Sequence, residues 1–346
     1  MKSLRYYGPG ALQLEEQPEP KPRDGEVLIS VEACGICATD VKTYLRGHPK
    51  IKPGAGLGHE VAGTIIEAPA SHQWKSGMRV TVAPYVPCGS CELCRKGEYS
   101  LCPRLFDDLL DPGGFSEFLR VPRRIVEQGM LALPDSLPAT TGCLAEPVAC
   151  CLHALRGIDL QPNESVLIIG DGVMGLLQAE IARSLGASVV ILSGMTPARL
   201  ERAKDLAHVV VNASTEDVSS VVAKSTMGLG PDKVLVSAAD KRAAQLGLEV
   251  VRKGGAVNFF AGMPKGATLE LDMNRIHYDE VELTGSFGFA PADFREAVAL
   301  MASGQIDPGR LVTSYVTLDR TMDALEKLAH FEGLKTIVQC SRPGAN

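Results

Sequence analysis

The chain has 346 residues, 45% hydrophobic and 22% charged, a length that predicts two domains and a composition that can fill a core in each. Its formal net charge of −6 lacks the basic field that a nucleic-acid or anionic-membrane partner requires, and points instead to a small-molecule partner. The segment MKSLRYYGPG has no signal-like apolar stretch and no run approaches the roughly 18 apolar residues of a membrane span, so the expectation is a cytoplasmic protein whose ten cysteines stay reduced.

In chain order, short runs at residues 26–33 (EVLISVEA), 61–66 and 79–83, separated by Gly and Pro, predict an irregular β-rich domain over residues 1–150. After that, strands and helices alternate. Residues 165–169 (SVLII), 188–192 (SVVIL), 208–212 (HVVVN), 233–237 (KVLVS), 256–260 (AVNFF) and 281–285 (VELTG) read as buried strands with helical segments between most of them. This alternation predicts an α/β domain with a doubly wound parallel sheet over residues 151–289. The helix-like DFREAVALMASG and strand-like KTIVQC come after six strands that already complete such a sheet, so residues 290–346 are expected to return to the first domain.

Four cysteines lie close together in PCGSCELCRKGEYSLC: Cys88, Cys91, Cys94 and Cys102. Three thiols at two-residue gaps with a fourth shortly after suit a closed tetrahedral zinc site; the alternatives are disulfides or unrelated thiols, which fit a reduced chain less well. A second constellation joins Cys37 of CGICATD, His59 and Glu60 of GHE, and Glu146 of AEP. Cysteine, histidine and one carboxylate supply three mixed ligands and leave one position open, the pattern of a Lewis-acid zinc site. Taken singly, His59 could be an ordinary core residue and either glutamate an ion-pair partner. Cys34, Cys143, Cys150, Cys151 and Cys340 are expected to be small buried apolar residues.

The segment GDGVMG places Gly170, Gly172 and Gly175 between a predicted strand and the helix-like LLQAEIARSLG. There the glycines permit a tight turn, backbone approach to a pyrophosphate and helix–strand packing, so Gly170, Gly172, Val173, Met174 and Gly175 are candidate dinucleotide-binding residues. The next strand ends in Ser193 and Gly194, where an NAD enzyme would carry an acid, and Arg199 follows. With no acid to repel a 2′-phosphate, with space expected at Gly194 and with Arg199 to pair with it, the sequence favours NADP(H) over NAD(H). The alternative use of Arg199 is adenine stacking or solvent exposure.

Read together, CGICATD, GLGHEVAGTI, the four-cysteine lobe, DPGGFSEFLRVP, AEPVACCLHAL and VLIIGDGVMGLL resemble the zinc-dependent medium-chain dehydrogenases nearly end to end. AEPVA and RIHYDEVELTGSFG resemble the polyol branch, typified by sorbitol (iditol) dehydrogenase, more than the ethanol-type branch. The resemblance implies a GroES-like catalytic domain beside a Rossmann domain, two zinc ions per subunit (one catalytic, one structural) and a homo-tetramer or homo-dimer. It also implies Cys37 and His59 as catalytic zinc ligands, with Glu60 and Glu146 as direct or water-linked partners. Thr39 matches the hydroxyl of the family's proton relay, and Asp40 is expected to orient the zinc shell. Where the ethanol-type enzymes finish that relay with histidine, this chain has Lys42; His48 is expected to be a surface residue and His153 to pack. The expected reaction is hydride transfer between a secondary alcohol, such as a polyol, and the nicotinamide. A threonine-dehydrogenase-like activity, a general ketone reductase and a non-catalytic zinc and nucleotide-binding protein are the other readings.

Overall fold

The structure, a computed structural model, describes residues 1–70 and 73–341. It divides into two compact units, Met1–Ala149 together with the segment from Phe289 onward, and Cys150–Gly288. The first stretch carries strands β1 (Lys2–Gly8), β2 (Ala11–Glu16), β3 (Val27–Gly35), β4 (Ala55–Gly56), β5 (Glu60–Glu67), β6 (Arg79–Val82), β7 (Phe118–Val121) and β8 (Met130–Ala132). The second unit carries β9 (Ser165–Ile169), β10 (Val189–Gly194), β11 (Val209–Asn212), β12 (Lys233–Val236), β13 (Ala256–Phe259) and β14 (Glu282–Gly285), and the returning segment adds β15 (Val312–Thr317) and β16 (Lys335–Gln339).

In the first unit β2, β1 and β4 form a small antiparallel sheet, and the main sheet runs β15-β16-β3-β5-β6-β8 with β7 also paired to β3. The returning segment is integral to that sheet. β16 pairs antiparallel with β3 through Ile337 opposite Gly35 and Val338 opposite Cys34, so the stretch just before Cys37 is held by residues far along the chain. β3 is buried at seven of its nine positions, which is why its near-continuous apolar run shows little alternation.

The second unit is a six-stranded sheet of order β11-β10-β9-β12-β13-β14 in which every pairing is parallel. β9 is buried at all five positions, as expected of a central strand covered on both faces, and Leu167, Ile191, Val211, Val234, Val236 and Val257 share one core with it. Helices follow the strands from capped starts: Asp240 accepts from Arg242 N and Ala243 N, and Asp217 from Ser219 N. At the foot of the sheet Asp232 ties three elements together. It accepts from Ser165 N at 2.7 Å, Ser165 Oγ at 2.5 Å and Arg252 Nε at 2.6 Å. Burial pushes its carboxyl up, but those bonds and the guanidinium charge outweigh this and hold it below the usual range. No helix among the described residues is long and apolar enough to cross a membrane.

Candidate functional site

The four-cysteine lobe is built on short turns. Cys91 caps the helix Glu92–Arg95, and its Sγ accepts from Cys94 N, while Cys88 Sγ accepts from Cys91 N at 3.3 Å and Cys102 Sγ from Cys88 N at 3.3 Å. Such N–H···S bonds stabilise thiolates. Cys88 is pushed down to about 5 by hydrogen bonds from Ser90 and Cys91, whereas burial among the other sulfurs pushes Cys94 up to about 12. The four Sγ atoms all lie within 4.8 Å of one another, with Cys91 to Cys94 at 3.4 Å and Cys88 to Cys94 at 3.9 Å. A tetrahedron of Zn–S bonds near 2.3 Å has S···S edges of about 3.8 Å, so this donor set fits a closed zinc site.

The second cluster joins the N-terminus of one helix to the start of β5. Cys37 is the N-cap of the helix Ala38–Arg46: its Sγ accepts from Thr39 N at 3.4 Å, and Asp40 Oδ2 accepts from Cys37 N at 2.9 Å, closing a capping box. Asp40, buried, turns its Oδ1 to Gly58 N at 3.3 Å and to His59 Nδ1 at 3.6 Å. That contact orients the imidazole from one ring nitrogen and leaves the other for a ligand. Cys37 Sγ, a His59 nitrogen and a Glu60 oxygen lie within 4.8 Å of one another. Burial pushes His59 down, but the acid Asp40 and the sulfur of Cys37 outweigh it and hold the imidazole well above its usual value, the signature of a site rich in electron-pair donors. Thiolate, imidazole and carboxylate in one cluster fit a three-ligand zinc.

Glu60 is almost wholly buried and answers to Lys335, the first residue of β16. Lys335 Nζ donates to Glu60 Oε1 at 2.6 Å and to Ile36 O at 3.0 Å. Glu60 Oε2 lies 2.5 Å from the same ammonium, so both oxygens of this buried carboxylate are paired with Lys335 beside Cys37 and His59. Gly35 makes this placement possible, since a Cβ there would come within 2.0 Å of Oε2. The sequence reading missed Lys335; the available signal was a lysine opening the strand-like run KTIVQ.

The other candidates divide. Glu146 is buried in the first turn of the helix Ala145–Gly157; among the described residues, the donor atoms within 4.8 Å of one another at this site are those of Cys37, His59 and Glu60. Thr39 is exposed in the turn that Cys37 caps, and Lys42 is exposed on the same helix. His48 lies in an exposed loop, where its Nδ1 accepts from Lys50 N. Cys34, Cys143, Cys151 and Cys340 are buried as expected, but Cys150 is only partly so, because adjacent helical positions point about 100° apart.

In the second unit the glycine loop fits a dinucleotide. A Cβ at Gly175 would lie 1.9 Å from Gly170 O, so helix and strand approach through bare backbone, whereas a Cβ at Gly172 would meet nothing within 4 Å and leaves the turn open to a phosphate. Gly172 is the N-cap of the helix Val173–Ser184 and makes no side-chain cap bond, so no cap side chain competes with an anion for the first N–H groups, those of Val173 and Met174. Ser193 is buried and accepts from Gly170 N at 2.8 Å, and Arg199 is partly buried on the helix Pro197–Ala203. One premise is corrected. Gly194 does not leave free space: a Cβ there would fall 2.4 Å from Asp171 Cβ and 2.7 Å from Asp171 Oδ2, because Asp171 folds over it to accept from Met195 N and Thr196 N.

The chain is similar to known proteins over nearly its whole length. Residues 23–135 match the alcohol dehydrogenase GroES-like domain and residues 173–303 the zinc-binding dehydrogenase family. Sorbitol dehydrogenase of Bacillus subtilis (strain 168) is 32% identical over 351 residues, covering 99% of this chain and 98% of that enzyme. L-galactonate-5-dehydrogenase of Escherichia coli (strain K12) is 32% identical over 330 residues, covering 93% and 94%. A solved protein from Sinorhizobium meliloti 1021, provisionally described as a zinc-binding dehydrogenase and bound to NADP, superposes with a TM-score of 0.90 at 31% identity over 98% of each chain. The chain therefore belongs to the zinc-dependent medium-chain dehydrogenases, in their polyol-dehydrogenase-like branch, and is an enzyme acting on CH–OH donors.

Proposed function

We propose that this protein oxidises a polyol or sugar-derived secondary alcohol, and reduces the matching ketone, with NADP(H) as hydride carrier. The observation that carries the reading is the convergence of Cys37, His59 and Glu60 on one small volume beside an exposed hydroxyl, Thr39. Cys37, His59 and a carboxylate from Glu60 or Glu146 would hold a catalytic zinc, and Cys88, Cys91, Cys94 and Cys102 a structural one. Zinc in the first site supplies a Lewis acid that lowers the pKa of a substrate hydroxyl, and the nicotinamide supplies the hydride acceptor.

The chain's own residues do the rest. Asp40 fixes the cap at Cys37 and the ring of His59 with its two oxygens, so thiol and imidazole reach the site pre-oriented. Thr39 is the group positioned to take the proton of the substrate hydroxyl; with Lys42 where a relay histidine would stand, that proton leaves through water. Lys335 holds the Glu60 carboxylate in place within reach of Cys37 and His59. Sorbitol and L-galactonate, the substrates in the names of two relatives, are both polyhydroxylated, which supports the polyol class. NADP(H) is supported by Arg199, by the absence of an acid on β10 and by the NADP bound to the Sinorhizobium relative. Assembly as a homo-dimer or homo-tetramer is the family habit and belongs to the same reading.

The test is turnover with NADP(H) across a panel of sugar alcohols and ketoses, before and after chelation and zinc restoration. Activity on polyols that vanishes on chelation and returns with zinc is expected. Equal or higher kcat/KM for a single-hydroxyl analogue would overturn the polyol assignment, and chelation-resistant turnover would overturn the metal.

A further inference from the structure

In dinucleotide folds that read NAD(H), an acid about 20 residues beyond the glycine motif, at the end of the second strand, accepts from the adenosine ribose. Gly194 holds that place here and brings no side chain. A carboxylate nevertheless stands in the space such a side chain would enter, because an ideal Cβ at Gly194 falls 2.6 Å from Asp171 Cγ and 2.7 Å from its Oδ2. The acid comes from the glycine loop rather than from β10.

Its two oxygens have different tasks. Oδ2 accepts from Met195 N at 3.0 Å and from Thr196 N at 2.6 Å, which fixes the turn after β10 and occupies two backbone donors that could otherwise serve an anion. Among the described residues Oδ1 has no protein donor, and it is not one of the buried unsatisfied atoms, so it is open to a hydroxyl. We propose that Asp171 is a cofactor-specificity-determining residue: it takes over the role of the missing strand-end acid, accepting from ribose hydroxyls and repelling a 2′-phosphate. This rests on the dinucleotide reading of the loop. Asp171 and Arg199 then pull in opposite directions, the acid supporting NAD(H) and the guanidinium NADP(H), and the native preference is the difference between them. Gly194→Asp, the obvious exchange toward NAD(H), does not probe this site, since its Cβ would collide with Asp171.

The experiment is Asp171→Asn, which keeps the shape and the acceptor for the two N–H groups but removes the charge. Dissociation constants for NADPH and NADH are read from nucleotide fluorescence without substrate, at low and high salt, with thermal midpoints alongside. The expected result is an unchanged midpoint and a shift of the NADPH/NADH affinity ratio toward NADPH by about tenfold, the lower end for a hydrogen bond to a charged group. The shift should shrink at high salt, where the like-charge repulsion is screened. Asp171→Ser, which also releases the two N–H donors, moves the ratio in the same direction. A ratio within about twofold of native in both variants, or equal weakening of both nucleotides, overturns the proposal and leaves Asp171 as a loop tether. The native ratio tests the NADP(H) reading separately, because the proposal concerns only the change on removing the charge.

Discussion

Replacing Lys335 with Met tests how far the first unit depends on one buried ion pair. The side chains of Lys335 and Glu60 are 3% and 1% exposed, and Nζ also donates to Ile36 O. Methionine fills the stem's volume but strands the Glu60 carboxylate and the Ile36 carbonyl without a donor. Breaking a buried pair from one side costs about 3–5 kcal/mol, because an uncompensated charge stays inside. For a unit of this size each kcal/mol moves the midpoint by roughly 2–4 °C, so a fall of roughly 6–20 °C is expected in the zinc-loaded enzyme. Trp74, the chain's single tryptophan, is buried in this unit, and its emission therefore follows the unit's unfolding by urea or heat. Adding Glu60→Gln removes the stranded charge and should recover roughly half of the loss. A single-variant loss below about 1 kcal/mol, or a double variant no better than the single, would refute the argument that the pair is charged and mutually dependent.

The metal reading predicts two zinc ions per subunit: Cys94→Ser should lower the Trp74 midpoint, while Cys37→Ser should leave it near native, abolish turnover and release one zinc by metal analysis. Arg199→Ala should weaken NADPH by about 1.5–3 kcal/mol with little effect on NADH, and equal losses for both in titration would show that Arg199 meets a part the two share. Asp232 gives a pH dependence. Its carboxyl is held below the usual range when folded, so its stabilisation is fully present above the unfolded pKa of about 3.9 and fades as pH falls through the lower folded value. The stability gap between the native protein and Asp232→Asn, followed by circular dichroism, should be flat from neutrality to about pH 5 and narrow below that; a gap that widens on acidification would contradict the sign.

Much of the fold was legible because its signals are local. The runs SVLII and KVLV are buried on both faces, so they read as unbroken apolar strands, and the spacing of Cys88, Cys91, Cys94 and Cys102 alone puts four sulfurs on one knuckle. Cys37, His59 and Asp40 were all singled out in the sequence, and the structure adds the capping box through which Asp40 holds Cys37. What stayed hidden is non-local. Lys335 is 275 residues from Glu60, and nothing in KTIVQC says which carboxylate its ammonium meets. Gly194 read as empty space because a side chain folding back from another loop leaves no trace in the strand it covers, and Asp171 was passed over as one of the variable positions of a glycine motif.

The interleaved order of the main sheet also bears on biosynthesis. β3 and β5 emerge early from the ribosome, but their sheet gains β16 only after the whole nucleotide-binding unit has been made. At 5–20 residues per second, the 275 residues between Glu60 and Lys335 take roughly 15–55 s to translate. During that interval Glu60 belongs to a nascent chain that lacks its countercharge, while the glycine loop and its six parallel strands can already condense, since all their pairings lie within one continuous stretch. The nucleotide-binding unit is thus free to mature first, and the arrival of β16 is the late event that neutralises Glu60 and closes the first unit's sheet.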